Sequence, residues 1–131
     1  MPTPIAEARS TSLRNHLALV ALRQGEGNGD LLAGLLRTVY LTYLVLDGDD
    51  TGSMDEIALA ERALRGCVDN YSAQHCWQIP EASCASIEAV LRMHDRQLAA
   101  VPVHRLEAAG RRLSQILATG DFPQISPVPR R

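Results

Sequence analysis

The chain has 131 residues, enough for one domain that buries a core without disulfides or a structural metal, and its formal charge of -2 excludes a global attraction to phosphate backbones or anionic membranes. Hydrophobic residues make up 46% but aromatics only 4%, so the core must be built from Leu, Ala, Val and Ile, which favours helices over strands. Three cysteines cannot all pair internally, which suits a reducing compartment.

Residues 1–11 read as a flexible arm containing Pro2 and Pro4, without the basic region, apolar run and small-residue cleavage site of a secretory signal. Leu13, Leu17, Val20 and Ala21 then have helical spacing, with Ser10, Thr11 or Ser12 available as cap and Gly25 as terminator. The following Gly25-Glu26-Gly27-Asn28-Gly29 lacks the upstream strand and the lysine of a phosphate cradle, and reads as a turn.

Residues 31–46, LLAGLLRTVYLTYLVL, carry Arg37 as their single charge. At roughly 1.5 Å per residue the stretch reaches about 24 Å, short of the ~30 Å hydrocarbon layer, and Arg37 would lie near its middle. It is therefore expected to be wrapped by protein, as the central helix of a bundle or one side of a subunit interface. Asn28 or Asp30 can cap it, and Asp47-Gly48 ends it.

Residues 47–55 place oxygen donors at positions one, three, five and nine of an EF-hand-like loop, but the twelfth position is Ala58, where calcium needs a bidentate acid. A solvated turn entering the capping box Ser53-Met54-Asp55-Glu56 explains the same residues. The third helix continues through Ile57, Ala60, Leu64, Cys67, Val68 and Tyr71, after which periodicity fails until Pro80, with Trp77 and Ile79 tucked against the bundle.

Pro80 or Ser83 opens a fourth helix with Ile87, Val90, Leu91, His94 and Leu98 on one side, ending before Pro102. Pro102 starts the fifth, whose stripe is Leu106, Ala109, Leu113, Ile116 and Leu117 and whose stop is Gly120. Residues 121–131 read as a disordered, Pro-containing tail. Glu61/Arg65, Glu88/Arg92 and Glu107/Arg111 are acid-to-base pairs at helical spacing, each contributing ~0.2–0.5 kcal/mol. The expected fold is all-α, a compact five-helix bundle over residues 12–120 with the apolar second helix at its centre.

No complete catalytic or metal-ligand signature is present, and no cofactor is called for. His16, Glu61, His94, Asp95 and His104 can converge as a polar cluster inside such a bundle, able to take a metal or small ligand, although the repeated Glu-x-x-His pairing of di-metal bundles is missing. Cys67, His75, Cys76 and Cys84 lack the closely spaced ligand pairs of zinc sites and read as small hydrophobes. On helix five, Arg105, Arg112 and Gln115 fall near one face and are the candidate DNA contacts, with Glu107 interrupting the positive field. Leu36, Tyr40, Tyr43 and Leu44 of the apolar helix are the candidate subunit interface.

Several segments resemble a group of small proteobacterial helical proteins, some of them labelled Fis-family transcriptional regulators. They are His16-Leu17-Ala18-Leu19 with Ala21-Leu22-Arg23, residues 35–42, Ala60-Glu61-Arg62-Ala63-Leu64, and His94-Asp95-Arg96-Gln97-Leu98 followed by Pro102-Val103-His104. The resemblance implies a bacterial helical protein with a regulatory role, although the compact basic carboxyl-terminal helix-turn-helix of a Fis protein is not in this chain. The leading expectation is a cytoplasmic, noncatalytic regulatory or protein-interaction module, homodimeric, with an unidentified protein partner and no membrane contact. A DNA-binding regulator using helix five, and a metal- or small-ligand-binding bundle, are the alternatives.

Overall fold

A computed structural model describes residues 1–46, 51–74 and 77–120. Five helices follow in order: α1 (Ile5–Arg23), α2 (Gly29–Leu46), α3 (Thr51–Gln74), α4 (Glu81–Ala100) and α5 (Val103–Thr119). The first four form the bundle, in which α1 packs on α2 and α4, and α3 packs on α2 and α4. The fifth lies outside this group, docked chiefly on α2, so that α2 touches all four other helices. This position explains a helix without a fully polar face. Gly29–Leu46 is long and apolar enough by composition to cross a membrane, with mean hydropathy 1.3, and here its apolar residues are used in packing between the bundle and α5.

Three helices open directly after a proline: Pro4, Pro80 and Pro102 all have φ between -54° and -59° and ψ of 142° or 143°. Proline fixes φ near this value, and its carbonyl can still accept the first helical bond, as Pro4 does from Ala8 N–H at 2.9 Å. The start of α1 at Ile5 corrects two expectations. Residues 5–11 are helical and not an arm, and Ser10, Thr11 and Ser12 lie inside the helix they were expected to cap. Met1 is also tied down, its carbonyl accepting a bond from Val103 N–H at 2.7 Å.

The α1 core face is likewise corrected. Asn15, Ala18, Leu19 and Leu22 are buried, whereas Leu13, Leu17 and Val20 remain 60%, 56% and 45% exposed. Both sets have helical spacing, so periodicity by itself does not choose between them. Leu22 is anchored from two sides. Its carbonyl accepts the Ile79 N–H at 3.0 Å, joining the connector before α4 to the end of α1, and the turn after α1 folds back over its side chain. That turn needs glycine, since a Cβ on Gly27 would lie 2.2 Å from Leu22 Cδ2, and Gly25 has φ 78°.

Asn28 caps α2 as expected, its Oδ1 accepting the Leu31 N–H at 2.9 Å. The third helix begins at Thr51, two residues ahead of the expected capping box, so Ser53 lies within the helix. Its core residues Ile57, Ala60, Leu64 and Cys67 are buried as read, but Val68 is 41% exposed. In α4 the whole expected stripe, Ile87, Val90, Leu91, His94 and Leu98, is buried. In α5 only Ala109 and Leu113 are buried, and Leu117 is 47% exposed. Gly120, at φ 73°, closes α5 with its N–H on the Ile116 carbonyl at 2.8 Å. Two of the three helical ion pairs form, Arg65 to Glu61 at 3.3 Å and Arg92 to Glu88 at 2.5 Å, while Glu107 and Arg111 do not pair.

Candidate functional site

The expected polar cluster separates into two parts and an outlier. At the α1/α4 contact His16 Nε2 lies 2.9 Å from Asp95 Oδ2, both side chains being about one-third exposed. His94, beside Asp95, is buried against the core, and burial lowers its pKa below the ordinary histidine value, with Gln97 and Asp95 partly opposing the shift. Glu61 is on α3 and belongs to a different group, and His104 is exposed on the first turn of α5. Among the described residues no three His, Cys, Asp or Glu side chains group so as to hold a metal ion. His75, Cys76 and residues 47–50 of the EF-hand-like loop lie outside the described residues. The other two cysteines are buried and bonded: Cys67 Sγ to the Gln78 carbonyl at 3.3 Å and Cys84 Sγ to that of Pro80 at 3.5 Å, with burial raising the Cys84 thiol pKa.

A polar seam runs between α1, α2 and α4, and sequence reasoning missed it apart from His94 and Asp95. Thr38 Oγ1 lies 3.0 Å from the Gly34 carbonyl and 3.3 Å from Asn15 Oδ1, and its single proton serves one of them at a time. Thr42 Oγ1 donates to the Thr38 carbonyl at 2.8 Å, and Gln97 Nε2 donates to the Thr42 carbonyl at 3.1 Å. Four buried atoms, Asn15 Nδ2, His94 Nδ1, Asp95 Oδ1 and Gln97 Oε1, find no hydrogen-bond partner among the described residues. Threonines at positions 38 and 42, one helical turn apart, are the signal in the sequence that marked this face of α2 as polar.

The outer face of α2 holds a groove of about 210 Å³ between α3 and α5. Leu36 and Tyr40 of the expected interface line it, together with Ala33 and Arg37. From α5 come Leu113 and Leu117, and from α3 Arg65. Tyr40 is 3% exposed, and its hydroxyl is shared between the Glu61 carboxylate, which accepts from it, and the Arg65 guanidinium, which donates to it. Burial, and then the hydrogen bond to Glu61, push the phenol up to about 12, so it is neutral at physiological pH. Tyr43 and Leu44, the other two expected interface residues, are half-buried and packed against the core.

On the other side of α5 a second groove, about 220 Å³, is lined by Leu44 and Val45 of α2 and by Arg105, Ala108, Ala109 and Arg112 of α5. Two of the candidate DNA contacts therefore share a groove, and the third, Gln115, is exposed further along the helix. Arg105 Nη2 donates to the Val45 carbonyl at 3.4 Å, near the end of α2, so this cation is partly committed within the fold.

An exposed apolar stripe lies elsewhere, on α1. Leu13, Leu17 and Val20 are spaced four and three residues apart, the interval of a coiled-coil seam, and occupy the side of α1 that faces away from the bundle. Comparison with protein-family models, curated proteins and solved structures gives no significant match for this chain.

Proposed function

We propose that the protein is a protein-interaction module of a regulatory kind that works as a homodimer, pairing α1 of one copy with α1 of the other. The observation that carries this reading is the exposure of Leu13, Leu17 and Val20 together on one outward line of α1. Three large apolar side chains in a row leave a continuous apolar strip facing water, which a second copy covers with the same residues in a self-complementary contact. Burying what remains exposed of each side chain recovers on the order of 1 kcal/mol. That favours a concentration-dependent dimer and is too little for an obligate one, given the cost of association. The expected interface on α2 is replaced in this reading, because Tyr40 is buried and Tyr43 and Leu44 are packed against the core.

Sedimentation equilibrium across the micromolar range tests the proposal. The wild-type chain is expected to move from monomer to dimer with concentration, and Leu17→Glu, at an exposed position, is expected to stay monomeric with an unchanged helical circular dichroism spectrum. A wild-type monomer throughout, or a Leu17→Glu dimer, refutes it.

A further inference from the structure

We infer that the groove over α2 binds an acidic amphipathic helix from a partner protein, with leucine-type side chains seated between α3 and α5 and a carboxylate on Arg37. This site is separate from the outer face of α1 and does not depend on self-association.

Size decides against a small-molecule site. At about 210 Å³ the groove is smaller than the ~300–1,000 Å³ typical of ligand pockets, and it lies open along a helix face. A shallow apolar channel of this kind fits side chains presented at intervals along a helix. The apolar contacts come from Ala33 and Leu36 on the floor and from Leu113 and Leu117 on the α5 wall. Leu117 is 47% exposed, so its burial under a docked helix removes apolar surface that the chain itself leaves in water.

Charge selects the occupant. Arg37 and Arg65 are the ionisable side chains lining the groove apart from the neutral Tyr40. The Arg65 guanidinium is engaged by Glu61 and Tyr40. Arg37 is exposed and makes no ion pair or hydrogen bond with any described residue, although it is the single charge in an otherwise uncharged run of sixteen residues, 31–46. An uncommitted arginine beside an apolar channel is complemented by a partner carboxylate, and its fork geometry suits a two-point contact. The chain's own tail does not supply that charge, since residues 121–131 contain Asp121 against Arg130 and Arg131. The exposed side of α1 supplies no net negative charge either: Arg9 and Arg14 accompany Leu13 and Leu17 there and outnumber the exposed Glu7. The occupant is therefore a different, acidic polypeptide.

The test uses the full chain and two fluorescein-labelled amphipathic peptides, one with leucines at i, i+3, i+4 and i+7 flanked by glutamates, the other with lysines replacing the glutamates. Fluorescence anisotropy is expected to show the glutamate peptide binding at least about tenfold more tightly, with the preference weakening as salt rises. Arg37→Glu is expected to reverse the order of the two peptides. Leu117→Ser, a neutral change at another exposed position, is expected to weaken both. Failure of the glutamate peptide to bind, equal binding of the two peptides, or an unchanged preference in Arg37→Glu overturns the inference. So does a change in oligomeric state on Arg37→Glu, which would make the groove a contact between copies of this chain.

Discussion

Replacing Leu113 by Ala is expected to release α5 while leaving the four-helix bundle folded. The fifth helix has α2 as its principal partner and buries only Ala109 and Leu113, with Leu106 and Ile116 half-buried beside them. Leu113 is 3% exposed and is the one large side chain of α5 that is fully enclosed. Truncation to Ala removes about three methylene equivalents, ~2–3 kcal/mol at ~0.8 kcal/mol each. The cavity contribution is small, because Leu113 borders the open groove over α2 and the space it vacates joins that groove. The loss is therefore expected at the low end of the ~2–5 kcal/mol range for Leu→Ala in cores. It falls on a helix held by few contacts, so local opening of α5 becomes easier by about 30- to 150-fold. Hydrogen exchange followed by mass spectrometry reads this directly: peptides from residues 103–119 should accelerate by that factor, while those covering Ile87, Val90 and Leu91 in α4 should not. Equal acceleration in both regions would show that α5 unfolds only with the bundle, and a change below about tenfold would show that Leu113 is not its anchor.

Two further outcomes follow from single contacts. The buried His94 has a folded pKa lowered by burial, so below about pH 6.5 the unfolded chain takes up a proton that the folded chain resists; stability therefore falls as pH drops, with a limiting slope of ~1.4 kcal/mol per pH unit. Urea titrations at pH 5 and pH 7.5 should show that loss in the wild-type protein and a smaller one in His94→Gln, and identical pH dependence would sink the assignment. Gly27→Ala drives a methyl against Leu22, which is completely buried and hence without room to withdraw, so destabilisation of ~1–3 kcal/mol is expected, and a melting temperature equal to wild type would contradict it.

How much of this was readable in advance differs from helix to helix. In α4 one apolar set at helical spacing competes with a polar remainder, so Ile87, Val90, Leu91, His94 and Leu98 identify the core face without ambiguity. In α5 the boundaries are legible from Pro102 and Gly120, but Leu117 stays half exposed because α5 rests on one principal partner. The start of α1 was not legible, because a Ser/Thr cluster resembles a cap and Pro4 lies ahead of it, in a segment without marked apolar periodicity. Of the proposed polar cluster only His16 and Asp95 meet, since which helices adjoin is a tertiary fact that spacing along one helix does not contain. The groove residues Leu36 and Tyr40 were visible as surplus apolar surface, whereas the roles of Arg37 and Arg65 depend on α3 and α5 flanking α2.

The rotation of α1 about its own axis is the choice on which both apolar surfaces depend. At ~100° per residue the Leu13/Leu17/Val20 line and the Ala18/Leu19/Leu22 line lie about 180° apart. By apolar content the first is the better core face, since Val exceeds Ala by two methylene equivalents, ~1.6 kcal/mol. Polar contacts outweigh that difference. A half-turn would carry Asn15 away from Thr38 and His16 away from Asp95, and would break the approach of Arg23 to Glu81, whose two bonds are 2.7 and 2.6 Å long. The bonds of Asn15 and His16 contribute ~0.5–1.5 kcal/mol each, and stranding a buried backbone N–H costs ~1–3 kcal/mol more. The Ile79 N–H would also lose the position of Leu22 that it now holds. The seam between α1, α2 and α4 thus fixes which face of α1 turns inward, and in doing so leaves Leu13, Leu17 and Val20 on the outside, as the exposed strip on which the proposed dimer rests.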